Sequence, residues 1–166
     1  MFSFYKSHNN DLYNKLVILS RNIFFYKTTN FKDSFETRIT LIFVHFALIL
    51  VCFKNKNKEK FPQEIFDNIF LNVEYHLREM GMGDVTVNKQ MKFLTKIFYD
   101  ILLKINSGDK KSFKLNSILL KKYFDIKGQI NDQKIVLLSK YLTNFYNFCF
   151  ELSLIDVLKG DINFKN

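Results

Sequence analysis

Ile39-Thr40-Leu41-Ile42-Phe43-Val44-His45-Phe46-Ala47-Leu48-Ile49-Leu50-Val51-Cys52-Phe53 is apolar apart from Thr40 and His45. Such a run is either a membrane span or a helix buried on every side. A span needs roughly 20 consecutive apolar residues, and this run stops short of that. A helix that is apolar all round belongs inside a bundle. The run therefore predicts a central core helix over about residues 33–54. Asp33, with Glu36 three residues on, has the outline of a capping box at its start. Lys54-Asn55-Lys56-Asn57-Lys58-Glu59-Lys60 reads as the solvated loop at its end.

Working outward, the other segments carry stripes rather than continuous apolar runs. Leu12, Leu16, Leu19, Ile23 and Tyr26 alternate steps of four and three, one face of a helix over about 11–26. Phe61-Pro62 opens a third helix, since proline is tolerated in a first turn. Its apolar face is Ile65, Phe66, Ile69, Phe70, Val73 and Leu77, and it stops at Gly81, which suits a left-handed closing residue. Thr86 is a candidate cap for a fourth helix with Val87, Met91, Leu94, Phe98, Ile101 and Ile105 on one side. Ser107 to Lys111 reads as a loop, followed by a shorter helical stretch over 117–124. A last helix, about 132–158, places Ile135, Leu138, Leu142, Phe145 and Cys149 together. With 5 Gly and 1 Pro in 166 residues, breakers are scarce. The sequence thus predicts an all-α fold: one compact domain over 1–166, a bundle of about five helices around the 33–54 hub.

The formal net charge of +9 points to an anionic partner, namely nucleic acid, a ribosome surface or anionic lipid. A second reading of that excess is compositional rather than functional. The chain holds 22 Lys, 20 Phe, 17 Asn and 16 Ile against one Ala and three Arg, a skew that AT-rich codons produce. Cys52 and Cys149 sit inside apolar runs and read as buried free thiols rather than a disulfide framework. Met1 to Asn10 has neither the apolar core of a signal peptide nor an Arg-rich transit pattern, so the protein is expected to stay where it is made.

Catalytic chemistry finds little footing. The two thiols lie on apolar faces, where burial makes them inert. His45 and Cys52 share a helix face, but two ligands without a third are weak grounds for a metal or haem site. Gly81-Met82-Gly83 is not a phosphate loop, because no Gly-Lys-Ser/Thr follows and a helix rather than a strand precedes it. No cofactor, no metal and no enzymatic activity are expected.

The most specific stretch runs from Phe66 to Tyr99. It contains Phe66-Asp67-Asn68-Ile69-Phe70-Leu71-Asn72-Val73-Glu74-Tyr75-His76-Leu77-Arg78-Glu79-Met80-Gly81-Met82-Gly83-Asp84, then Val87, Lys89, Met91 and Phe98-Tyr99. This resembles the signature of the ubiquinol–cytochrome c reductase chaperone family. Ser20-Arg21, Phe25-Tyr26, Asp33, Phe35-Glu36, Arg38 and His45 fall where that family has comparable residues, so the likeness covers about 12–148. Asn72 departs from it, standing where the family has an acid.

The resemblance implies a non-enzymatic assembly chaperone for the cytochrome bc complex that holds newly made cytochrome b, with a small co-chaperone and the ribosome as further partners. It resembles the bacterial form, so the expected location is the cytoplasm, peripheral at the inner membrane. A helical groove lined by Phe and Met would shelter the client. The alternative from composition alone is a basic helical adaptor that binds ribosome or RNA without sequence specificity; a haem carrier using His45 is a third reading.

Two surfaces are candidates. Asp67, Leu71, Glu74 and Arg78 share a stripe pointing away from the apolar face, with Glu79 beside it. Together with Met80 and Asp84 these residues are expected to bind the partner. An i,i+4 pair such as Glu74–Arg78 contributes only about 0.2–0.5 kcal/mol, which is too little to account for a charged stripe. Lys89, Lys92 and Lys96 lie opposite the apolar side of the fourth helix and are candidates for ribosome or membrane contact. Arg21, Asp33, Glu36 and Arg38 are expected to tie the first two helices together by ion pairs.

Overall fold

The computed structural model describes residues 10–56, 60–109, 112–124 and 132–166. The N-terminal stretch before Asn10, the middle of the Lys/Asn loop and Lys110-Lys111 lie outside these residues. Among the described residues seven α-helices follow one another: α1 (Asp11–Ser20), α2 (Phe35–Lys56), α3 (Gln63–Glu79), α4 (Asp84–Lys104), α5 (Ser117–Phe124), α6 (Asp132–Phe150) and α7 (Leu154–Leu158), with a π turn at Phe24–Thr28 between α1 and α2. The fold is all-α; among the described residues the one extended pairing is an isolated antiparallel bridge between Asn106 and Leu115.

α2 is the hub. It packs against α1, α4 and α6, and residues 41–49 are buried without interruption. By length and composition α2 could cross a membrane, with a mean hydropathy of 1.9, but 72% of that window is already buried inside the protein. Neighbouring helices, rather than lipid, cover its apolar surface. The predicted stripes form the other side of the same core: Leu12, Leu16 and Leu19 on α1, Ile69, Val73 and Leu77 on α3, Val87, Leu94, Phe98 and Ile101 on α4, and Ile135, Leu138, Leu142, Phe145 and Cys149 on α6 are all buried.

Four boundaries differ from the sequence reading. α1 ends at Ser20, whose hydroxyl donates to the Val17 carbonyl at 2.7 Å. The Asn22 side chain then accepts from the Phe24 N–H at 3.0 Å, and the chain restarts as the π turn. The break leaves Ile23 60% exposed, so the α1 stripe ends early, and it turns Phe25 fully inward. Phe25 packs edge-on against Tyr141 (4.9 Å) and His45 (5.8 Å).

At the head of α2 the cap is Ser34, not Asp33: its hydroxyl accepts from the Thr37 N–H at 3.2 Å. Asp33 is engaged by Arg38 instead, at 2.7 and 2.9 Å. α4 starts at Asp84 rather than after Thr86, with Gly83 in the cap position and an acid in the first turn, where the helix dipole favours it. The long last helix stops at Phe150, and Ser153 caps the separate α7 by accepting from the Asp156 N–H at 3.1 Å.

Beyond α7 the chain turns back at Gly160 (φ 75°) and lays Phe164 on Tyr141, Phe145 and Phe148. The sequence reading ended at Leu158 and missed this closing segment.

Candidate functional site

The α3–α4 turn is built on Gly81. Its φ is 89°, a conformation that costs a residue without a Cβ little. The Gly81 N–H donates to the Arg78 carbonyl at 2.9 Å and the Met82 N–H to the Leu77 carbonyl at 3.3 Å, the paired bonds of a Schellman closure. Arg78 then reaches over the turn. It donates to Glu74 at 3.3 Å and to Asp84 on the start of α4, so three of the predicted partner-binding residues, Arg78 with Glu74 and Asp84, meet across the turn.

The remaining members separate into two surfaces. Asp67 accepts from the Gln63 amide at 2.8 Å and shares the outer stripe with Glu74 and Arg78, a stripe that also exposes Leu71. Glu79 lies at its edge, 4.0 Å from His76. Met80 faces the other way. It is 52% exposed and forms the rim of a cleft of about 410 Å³ between α1, the head of α2 and the tail of α3. Asn72 is buried and donates to the Asn68 carbonyl at 2.7 Å. An ionised acid in its place would incur a larger desolvation cost.

The floor of the cleft is apolar, formed by Val17, Phe35, Ile39 and Ile42, and its walls are polar. Tyr13 and His76 bridge α1 to α3 at 2.8 Å. Asp33 and Arg38 form the bidentate pair at the mouth; the Arg38 guanidinium holds the Asp33 carboxyl below the usual carboxylate range. Arg21 stands on the same rim with no ion-pair partner among the described residues. Arg21 therefore acts on Asp33 at longer range, lowering its carboxyl further without a close ion pair. Arg38 pairs with Asp33 just before its own helix and also reaches the Tyr26 hydroxyl of the π turn, and Arg21 lines the same cleft. The groove is also less rich in Phe and Met than expected, with one of each. Most phenylalanines are spent in the core, where Phe43, Phe46, Phe66, Phe70 and Phe98 interlock between α2, α3 and α4.

His45 is a core residue. It is fully buried, with Nδ1 at 2.6 Å from the Leu41 carbonyl and Nε2 at 3.0 Å from the Tyr141 hydroxyl. The carbonyl can only accept, so Nδ1 carries the proton and Tyr141 donates to Nε2. Both nitrogens are occupied, and burial holds the pKa at about 4. No lone pair is left for a haem iron. Cys52 is buried seven residues further along the hub helix, its thiol pushed up to about 11 by burial, and Cys149 is raised for the same reason. Lys89, Lys92 and Lys96 are exposed on the outer side of α4.

The ubiquinol-cytochrome C chaperone family profile matches residues 27–164. The chain belongs to the ubiquinol–cytochrome c chaperone family. Among solved structures it is similar to the crystal structure of the Cbp3 homolog from Brucella abortus, with a TM-score of 0.69 and 23% identity over 97% of this chain and 93% of that one. That likeness is one of fold. No curated protein matches. For this chaperone-family chain, the cleft gathers residues that the sequence reading had noted separately. Ser20, Arg21, Asp33, Phe35 and Arg38 from the upstream part meet His76 and Met80 from the signature stretch. The floor residues carry no sequence sign of a cleft, because Ile39 and Ile42 belong to the apolar run that marks the core helix and Val17 falls off the α1 stripe.

Proposed function

We propose that this protein is a non-catalytic assembly chaperone for the cytochrome bc complex, which holds newly made cytochrome b in the α1–α2–α3 cleft until the complex is assembled. One observation carries the reading: residues far apart in the chain, Asp33, Phe35 and Arg38 with His76 and Met80, all within the stretch matched by the family, line a single cleft together with α1. Its apolar floor suits an inserted side chain from a membrane segment, while the Arg21 and Arg38 guanidinium groups and the Tyr13–His76 pair offer hydrogen bonds around it. The volume falls within the range of ligand-accepting clefts, about 300–1,000 Å³. Holding requires no bond to be made or broken, so the chemistry is reversible burial.

The outer stripe of Asp67, Glu74, Arg78, Glu79 and Asp84 is a second contact, for the client or a small co-chaperone. Work at the cytoplasmic face of a bacterial inner membrane follows from the nature of the client. The competing reading, a basic adaptor for ribosome or RNA, rests on the net charge of +9. Affinity purification from membranes solubilised in mild detergent, with and without nuclease, separates the two. The chaperone reading expects cytochrome b to be recovered regardless of nuclease and to be lost with Arg21→Glu or Met80→Glu. Recovery of RNA alone, abolished by nuclease, would reject it.

A further inference from the structure

α4 satisfies the core with one side and leaves the other chemically unusual. Val87, Leu94, Phe98 and Ile101 are buried against the hub. On the opposite side Val85, Lys89, Lys92, Phe93, Lys96, Tyr99 and Leu103 fall within a roughly 120° arc at 100° per residue. The large apolar members are well exposed: Val85 69%, Phe93 59%, Tyr99 44% and Leu103 78%. A helix that serves only the core needs no apolar residues there. The three lysines have no ion-pair partner among the described residues.

The one acid on this arc, Asp100, is already neutralised. It accepts from Lys104 at 2.5 Å, from Lys122 of α5 at 2.8 Å, and from the Tyr123 hydroxyl. The Lys122 contact also brings α5 alongside, and Ile118, one turn before Lys122, is 79% exposed.

We infer that the outer face of α4, extended by Ile118 of α5, docks the protein on a membrane surface rich in anionic lipid. Free lysines interleaved with exposed aromatic and aliphatic side chains over about 27 Å of helix are what an interfacial helix presents. The ammonium groups reach phosphate headgroups while Phe93 and Leu103 enter the acyl boundary. Nucleic acid would engage the lysines but has no use for Val85, Leu103 and Ile118, so lipid accounts for more of the surface. This inference goes beyond client binding and does not depend on it.

The sequence contains no tryptophan, so Phe93→Trp gives a single reporter on the face and Ile155→Trp, on α7, gives one away from it. Each is titrated with phosphatidylcholine vesicles with and without phosphatidylglycerol, and with RNA at the same salt. The expected result is a blue shift of the Phe93→Trp reporter with phosphatidylglycerol only, weakened by salt, and no shift of the Ile155→Trp reporter. Lys89→Gln, Lys92→Gln and Lys96→Gln together should lower the partition coefficient about a hundredfold, and Leu103→Ser should weaken it with an unchanged thermal melt. No shift with anionic vesicles, a shift confined to the Ile155→Trp reporter, or binding of RNA but not vesicles would overturn the inference. The vesicles contain no cytochrome b, so any of these failures leaves the client reading intact.

Discussion

Lowering the pH from neutral to 5 should destabilise this protein through one residue, His45. The ring is fully buried, neutral, and bonded at both nitrogens. Burial places its folded pKa at about 4 against 6.5 for the exposed side chain. Between those values the unfolded chain takes up a proton that the folded protein excludes, so stability rises with pH across this window. It is complete above about 6.5 and falls away toward 4. At pH 5 the difference in proton binding amounts to about 2 kcal/mol. For a protein of this size that lowers the melting temperature by about 4–8 °C.

The carboxylates shifted by ion pairs, Asp33 and Asp100, act in a different window. Their folded pKa values lie below the ordinary 3.8, so the stability they contribute is lost only at still lower pH. Urea and thermal melts followed by circular dichroism at pH 7, 6 and 5 would measure the slope, and His45→Gln should flatten it whatever it does to the absolute stability. An equally steep decline in His45→Gln would refute the reasoning, because the titrating group would then lie elsewhere.

Further outcomes follow from the turns and the thiols. Gly81→Val should cost about 1–3 kcal/mol in thermal stability through the left-handed backbone alone, since a Cβ there meets nothing within 4 Å. Gly160→Ala should lower the melt more than Gly81→Ala, because it adds a clash of the new Cβ, 2.7 Å from the Asp11 carbonyl oxygen, to a φ of 75°. Glu74→Ala with Arg78→Ala removes the exposed Glu74–Arg78 and Arg78–Asp84 pairs, each contributing little on the surface, and should leave the melt close to wild type while cytochrome b recovery falls; a much lower melt would make the stripe structural. Cys52 and Cys149 should resist a water-soluble thiol reagent in the folded protein and react only on unfolding, as their raised pKa values imply.

Long elements were legible because their physics is local. The continuous apolar run of α2 and the four-and-three stripes of α3, α4 and α6 fix which faces are buried before any partner is known. What escaped was set by single side chains competing for backbone groups. Ser20 and Asn22 break the first helix, Ser34 displaces Asp33 as a cap, and Ser153 starts α7 after a stop at Phe150. Propensity ranks Ser, Asn and Asp as near equals at caps, so only the tertiary setting, here the capture of Asp33 by Arg38, decides among them.

The site was half legible. The signature residues marked the α3–α4 turn, and Arg78 does join Glu74 to Asp84. The cleft itself depends on Arg21 and Arg38 meeting Met80 across more than forty positions of chain, a juxtaposition that no spacing reports. The α4 face had a readable signal, since Val85, Tyr99 and Leu103 keep the same helical period as the three lysines, but apolar residues there read as scattered surface.

The central claim is most directly tested in membranes from a strain lacking this protein, by reduced-minus-oxidised difference spectra with quinol–cytochrome c activity measured alongside. The account predicts loss of the b-type signal of the cytochrome bc complex with other membrane oxidases intact, restored by the wild-type chain and not by a stably folded Arg21→Glu, Met80→Glu variant. A normal cytochrome b signal and normal activity in the deletion strain would contradict it.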